Sequence, residues 1–297
     1  MAFYLSNLLQ KAYARLGQAN YSVATGGDTA TIVDSKQAGL HGDNEWALGS
    51  AIVIRDSAGA SAAPENEYAY LTGYTDSTGT FTAATSAFSS SCGAGDTFMF
   101  INDFYPLYTM IELANEAVQS FGTIPLIDTS ITTAAAQTEY TYPVAAKRRP
   151  PLRVEYQGKT NDANDNRWIP IDNWRYDPAT AGSTGILVIP QLGTGRTVRI
   201  WYEGVHPTLK AYNSPILESL EPELVTARLV ELALEWQNTR LQGGDDFLLQ
   251  RGMKAQSDRM EAEAKFKSNK PRRRSKLLVV GKTETDENEL DYPSTYP

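Results

Sequence analysis

Hydrophobic spacing switches between two periods along this chain, and it does so more than once. Leu5, Leu8, Leu9, Ala12 and Leu16 recur at helical intervals, so Phe3 to Leu16 reads as a short amphipathic helix closed by Gly17. From Tyr21 to Asn102 the period falls to two. "TATIVDS", "GSAIVIRD", "EYAYLTGY", "GTFTAAT" and "GDTFMFIN" predict five strands, which suggest a small antiparallel sandwich or barrel. Leu107, Met110, Ile111, Ala114, Ala117 and Val118 then restore a helical stripe that Gly122 ends. A second β-rich stretch follows in "TEYTYPV", "LRVEYQG", "RWIPIDNWRYD", "GILVIP" and "RTVRIWYEG". Both β stretches end alike, in "GAGDTFMF" and "GTGRTVRIWY", which points to shared hairpin chemistry.

The last periodic region is helical. Val225, Leu229, Leu232 and Trp236 form one stripe between Glu218 and Leu241, and Val230, Ala233 and Leu241 widen it. So wide a band belongs in a core or an interface. "GGDD" ends that helix and caps the next, about Phe247 to Lys267, which is highly charged with only a thin apolar edge. Beyond it "KPRRRSK", "LLVVG", an acidic run and "DYPSTYP" carry too little apolar surface to fold alone. The expected fold class is therefore α+β, with helices and sheets segregated. A helical bundle (1–19, 103–123 and 214–268) carries two inserted antiparallel β modules (20–102 and 124–213), followed by an extended tail (269–297).

The search for chemistry returns no catalytic constellation. "ATGGDTATIVDS" lacks the GxxxxGK[ST] spacing and precedes a strand, whereas a phosphate cradle precedes a helix, so it reads as a turn. The two histidines, His41 and His206, stand in no paired spacing and read as surface or edge residues. Cys92, the single cysteine, excludes an internal disulfide and reads as a partly buried thiol. Asp162, Asn164 and Asn166 alternate as in a calcium loop, but Arg167 and Asn173 replace the glycine and glutamate such a loop needs. Glu221 and Glu223, like Asp245 and Asp246, sit at helix starts, where the helix dipole accounts for them. No cofactor or metal is expected. With 41% hydrophobic residues and a net charge of −8, the chain is expected to have a real core and to be no generic nucleic-acid binder. It holds no apolar run of about 18 residues, so no membrane span is expected.

The order "ATGGDTATIVDS … W … GSAIVIRD … Y … GTFT … GAGDTFMF", with a helix directly after, resembles a β module of tailed-bacteriophage structural proteins. The later order "EYTYP … LRVEYQG … W … W … GRTVRIWYEG", then an apolar helix, a charged helix and an Arg-rich exit, is similar to phage head–tail connector (adaptor) proteins. The resemblance covers nearly the whole chain and is one of pattern and order. It implies a structural virion protein, made in the host cytoplasm and located at the capsid–tail junction. The implied assembly is a homo-oligomeric ring, commonly a dodecamer, docked on the portal protein and on the next neck or tail protein, with DNA only as passing cargo. The ring and portal contacts would fall on Val225, Leu229, Leu232 and Trp236, on the basic Arg272, Arg273 and Arg274, and on Tyr292 and Tyr296. An excess of acid suits a channel that must not grip DNA. Two alternatives compete with that reading. One is a tail or fibre protein whose second β module (132–206) binds a glycan through Trp168, Trp174 and Tyr176. The other is a metal-dependent hydrolase or nuclease, for which no ligand set is visible.

Overall fold

A computed structural model describes residues 3–56, 64–85, 87–143, 150–158, 167–178, 184–241 and 245–266. The chain divides into two compact units, one from 1–124 with 205–269, the other described over 125–204. The first begins with β1 (Phe3–Tyr4) and α1 (Leu5–Arg15) and continues through β2 (Asn20–Val23), β3 (Gly26–Gly27), β4 (Thr31–Val33) and β5 (Ser50–Arg55). It then runs through β6 (Tyr68–Thr75), β7 (Thr80–Ala83) and β8 (Thr97–Ile101) to α2 (Leu107–Ser120). Next come β9 (Ile124–Thr132), β10 (Glu139–Thr141), β11 (Arg153–Gln157), β12 (Trp168–Pro170), β13 (Arg175–Asp177), β14 (Ile186–Val188) and β15 (Thr197–Gly204). The first unit resumes with β16 (Pro215–Ile216), α3 (Pro222–Arg240) and α4 (Asp246–Lys265).

Strands form where the two-residue period ran, but the expected α+β plan of a helical bundle with inserted β modules does not hold. The described structure is mostly β. Four sheets of two, three, four and seven strands stand against four α-helices. The physical reason is that each β stretch closes its own core. In the first unit Ile32, Trp46, Val53, Leu71, Phe81, Phe98 and Phe100 cluster on the seven-stranded sheet, ordered β2-β8-β5-β6-β7-β4-β3. Trp46 meets Phe100 edge to face at 4.7 Å. In the second unit Ile131, Tyr142, Val154, Leu187, Val198 and Ile200 do the same between the sheets β12-β11-β15-β9 and β10-β14-β13. An apolar helical stripe reports that a face is buried and says nothing of what buries it.

The Gly-Gly stretch is the edge of the seven-stranded sheet. Gly26 pairs with Val33 and Gly27 with Ile32, while Asp28 accepts from the Ala30 amide (2.7 Å) and the Thr31 hydroxyl (2.9 Å) to shape the turn. Gly27 has φ of +147°, and a Cβ there would stand 2.3 Å from the Thr31 carbonyl oxygen. The glycine is required by the turn, with no phosphate cradle involved. The two Gly-rich hairpin entries also behave alike: the Gly95 amide donates to the Ala24 carbonyl and the Gly195 amide to that of Thr133, each at 2.8 Å. In both units the strand that follows lies inside its sheet.

The helices belong to the first unit. α3 packs against α1, α2 and α4, and α1 also packs against α2. The N-terminal strand is tied down by pairing with β16, Phe3 opposite Ile216. Two side-chain contacts fasten irregular chain to helices: the Tyr13 hydroxyl donates to the Tyr105 carbonyl (2.9 Å), and Asn115 on α2 bonds the backbone of Leu209 in both directions.

Candidate interaction surfaces

The wide stripe on α3 is spent inside the chain. Val225 and Leu229 are fully buried, Leu232 nearly so, and the buried positions run around most of the helix circumference. Trp236 is half-buried, its ring 6.4 Å from that of Tyr105 and its face covered by the Arg240 guanidinium at 5.5 Å. Arg272, Arg273, Arg274, Tyr292 and Tyr296 lie outside the described residues, as do Asp162, Asn164 and Asn166 of the calcium-like loop.

α4 is different, because it presents a surface. Asp245 caps its start by accepting from the amides of Phe247 (2.9 Å) and Leu248 (3.2 Å). Leu248, Ala255 and Ala262 are the buried line of this helix, and the ion pairs of Arg259 with Glu231 on α3 and with Glu263, both 2.6 Å, reinforce its seat. Away from that line Leu249, Met253 and Met260 are 43%, 63% and 54% exposed. They repeat at helical intervals, so one face of α4 carries an uncovered apolar edge. On the other side, a groove of about 600 Å3 opens between α3 and α4, floored by Ala227, Val230, Leu234, Ala255 and Ala262. Its rim carries charges of both signs, with Arg15 from α1 among them.

In the second unit a charged and aromatic layer lies on β11, β12 and β15. Glu155 is fully buried; its Oε1 pairs with Arg153, and its Oε2 accepts from Arg199 Nε (2.7 Å) and Trp201 Nε1 (3.1 Å). The Arg199 guanidinium also lies 4.1 Å over Trp168 and 5.4 Å from the Trp201 ring. Trp174 and Tyr176 pack against the unit's core, and Tyr176 lies 4.7 Å from Tyr142. Trp168, Trp174 and Tyr176 are thus each engaged within the unit and only partly exposed.

The titratable candidates have structural surroundings. His206 is buried, where a strand-edge position was expected. It lies in an irregular segment after β15, where no periodicity reports burial. Its Nδ1 bonds the Pro207 carbonyl (2.7 Å) and its Nε2 accepts from the Leu217 amide (3.2 Å), and burial lowers its pKa. His41 stands between Glu45 Oε1 (3.3 Å) and Gln37 Oε1 (3.1 Å), beside the rings of Trp46 and Tyr74. Cys92 is buried, and burial, then the nearby Asp96 and Glu67 carboxylates, push its thiol up to about 12. Among the described residues no three His, Cys, Asp or Glu side chains converge on a metal site, and no helix is long and apolar enough to cross a membrane.

Comparison with models of known protein families and with curated proteins finds no match. The thin apolar edge of α4 is legible in the sequence, where this helix was an expected place for a subunit contact beside the α3 stripe. Its charged side escaped that reading, although the signal was present in the spacing of the charges.

Proposed function

We propose that this chain is a structural virion protein of a tailed bacteriophage, an adaptor that forms a ring at the head–tail junction and acts through geometry and docking. In this reading the ring sits on the portal protein, receives the next neck or tail protein on its other side, and passes DNA as cargo. The basic Arg272–Arg274 cluster and the terminal Tyr292 and Tyr296 serve the portal contact. The observation that carries the reading is the apolar edge of Leu249, Met253 and Met260, left uncovered on a helix whose opposite side is firmly seated on α3. An apolar edge on a braced helix suits a repeated subunit contact, in which one face of each copy fits a different face of the next. The buried α3 stripe supports that role indirectly, as the spine that holds α4 in place. The proposal assigns no reaction to the chain.

Negative-stain imaging of the purified protein, alone and mixed with its cognate portal, tests this. Rings are expected, and Met253→Glu should abolish them by placing a charge in the contact. Deletion of residues 269–297 should remove portal capping and leave ring formation intact. Persistent monomers that fail to bind the portal would overturn the proposal.

A further inference from the structure

One stripe of α4 is self-complementary. Phe247, Arg251, Lys254, Asp258, Glu261 and Lys265 follow one another at intervals of four, three, four, three and four residues, which keeps them on a single helix face. All are exposed except the half-covered Arg251. Along the stripe the order is aromatic, basic, basic, acidic, acidic, basic. Turned end over end about a point midway between Lys254 and Asp258, the pattern falls on its own complement. Arg251 then meets Glu261, Lys254 meets Asp258, and Phe247 meets Lys265, each contact occurring twice. The flanks extend the match, since Arg15 and Glu223 line the same groove. Arg251 bonds the Arg15 carbonyl and Lys265 stands 4.0 Å from Glu223, so Arg15 lies at the basic end and Glu223 at the acidic end.

These charges lack firm partners at home. Among the described residues Lys254, Asp258 and Glu261 take part in no ion pair, and the Lys265–Glu223 contact is at the limit of one. The contrast with Arg259 on the seated face, held at 2.6 Å by two carboxylates, is plain. The alanines flooring the groove, Ala227, Ala255 and Ala262, leave room for side chains from a second helix.

We propose that α4 pairs antiparallel with α4 of a second copy of this chain, giving a two-fold dimer held by this stripe. A two-fold contact uses the same patch on both copies and so requires self-complementarity, which the charge order supplies. A helix of 20 residues is about 30 Å long. Over a width near 10 Å the pairing buries about 600 Å2 in total, about half of what a stable interface needs. The dimer is therefore weak, reversible and salt-sensitive, because its contacts are exposed ion pairs. The contact lies on the far side of α4 from the Leu249–Met253–Met260 edge and does not depend on the adaptor reading.

Sedimentation velocity of the full chain carrying Met253→Glu, which removes the ring contact and lies off this stripe, over a concentration series at about 20 mM and about 500 mM salt, tests the pairing. Concentration-dependent dimers are expected at low salt and monomers at high salt. Lys254→Asp and Asp258→Lys should each weaken association about tenfold or more, by opposing like charges twice. Mixing the two single variants should restore dimers, since each then supplies the other's missing sign, and the double variant should restore them by itself. Circular dichroism checks that these exposed substitutions leave the fold unchanged. Single variants that associate like the parent, or a mixture that stays monomeric, would overturn the proposal. So would assemblies indifferent to both salt and the charge reversals.

Discussion

Asn115 offers the sharpest test of how the first unit is held together. Its side chain, buried on α2, forms a two-way clasp with Leu209: Nδ2 donates to the Leu209 carbonyl at 3.0 Å, and Oδ1 accepts from the Leu209 amide at 2.6 Å. The same Nδ2 also reaches the Ile111 carbonyl at 3.1 Å. Leucine has the same branched outline as asparagine, though its methyl groups are bulkier, so Asn115→Leu should fill the site and remove the clasp. Leu209 is itself buried, so its N–H and C=O lose their partner where water cannot replace it. Each stranded group costs about 1–3 kcal/mol, and the pair about 2–6 kcal/mol. For a unit of this size a loss of ~3 kcal/mol lowers the melting temperature by about 6–12 °C. Asn115→Asp should also destabilise, because a second acceptor would face the Leu209 carbonyl. Thermal unfolding followed by near-ultraviolet circular dichroism measures the loss, and hydrogen exchange on the peptide spanning 205–214 locates it. A change under about 0.5 kcal/mol, with exchange of that peptide unaltered, would refute the reasoning.

Three further outcomes are expected. His206 is held neutral by burial, so its folded pKa lies below the usual 6.5 and the unfolded chain binds the proton more readily. That contribution is fully present above pH 6.5 and is lost as the pH falls through the folded value, by at most about 1.4 kcal/mol per pH unit; His206→Leu should flatten this slope in urea titrations at several pH values. Glu155→Ala leaves Arg199 and Trp201 Nε1 without their acceptor and should cost the second unit about 3 kcal/mol, read from tryptophan fluorescence during urea unfolding, while Glu155→Gln should retain part of the stability. Cys92, with its thiol pushed up to about 12 and its side chain buried, should resist iodoacetamide at about pH 8 and react promptly once the chain is unfolded. Labelling of the native protein at the unfolded rate would contradict that placement.

Much of the local structure was legible in the sequence. Alternation marked β5, β6, β8 and β15, helical spacing marked α1 to α3, and the "GGDD" break with its capping acids announced the start of α4, where Asp245 makes the cap. These features depend on neighbours a few residues away, and the local pattern records them. Other elements did not register: the two-residue strands β1 and β16 because they are short, and β2, which pairs Tyr21 with Met99, and the nine-residue β9 because their apolar residues do not alternate cleanly.

Partner choice was decided elsewhere. The stripe of Val225, Leu229 and Leu232 reads equally well as a core or an interface, since periodicity shows that a face must be covered without naming the cover. Three other helices pack against α3, while α4 keeps Leu249, Met253 and Met260 exposed. His206 and Glu155 were likewise beyond local reading. The imidazole is fixed by the Leu217 amide across an irregular segment that has no periodicity to read, and the carboxylate gains its partners only when β15 pairs beside β11. By itself the sequence determined most of the segments that would be strands or helices and where the charges on α4 stand. Which faces are spent on folding, and which stay exposed, was settled only by the tertiary structure, because burial is a property of contacts between residues far apart in the chain.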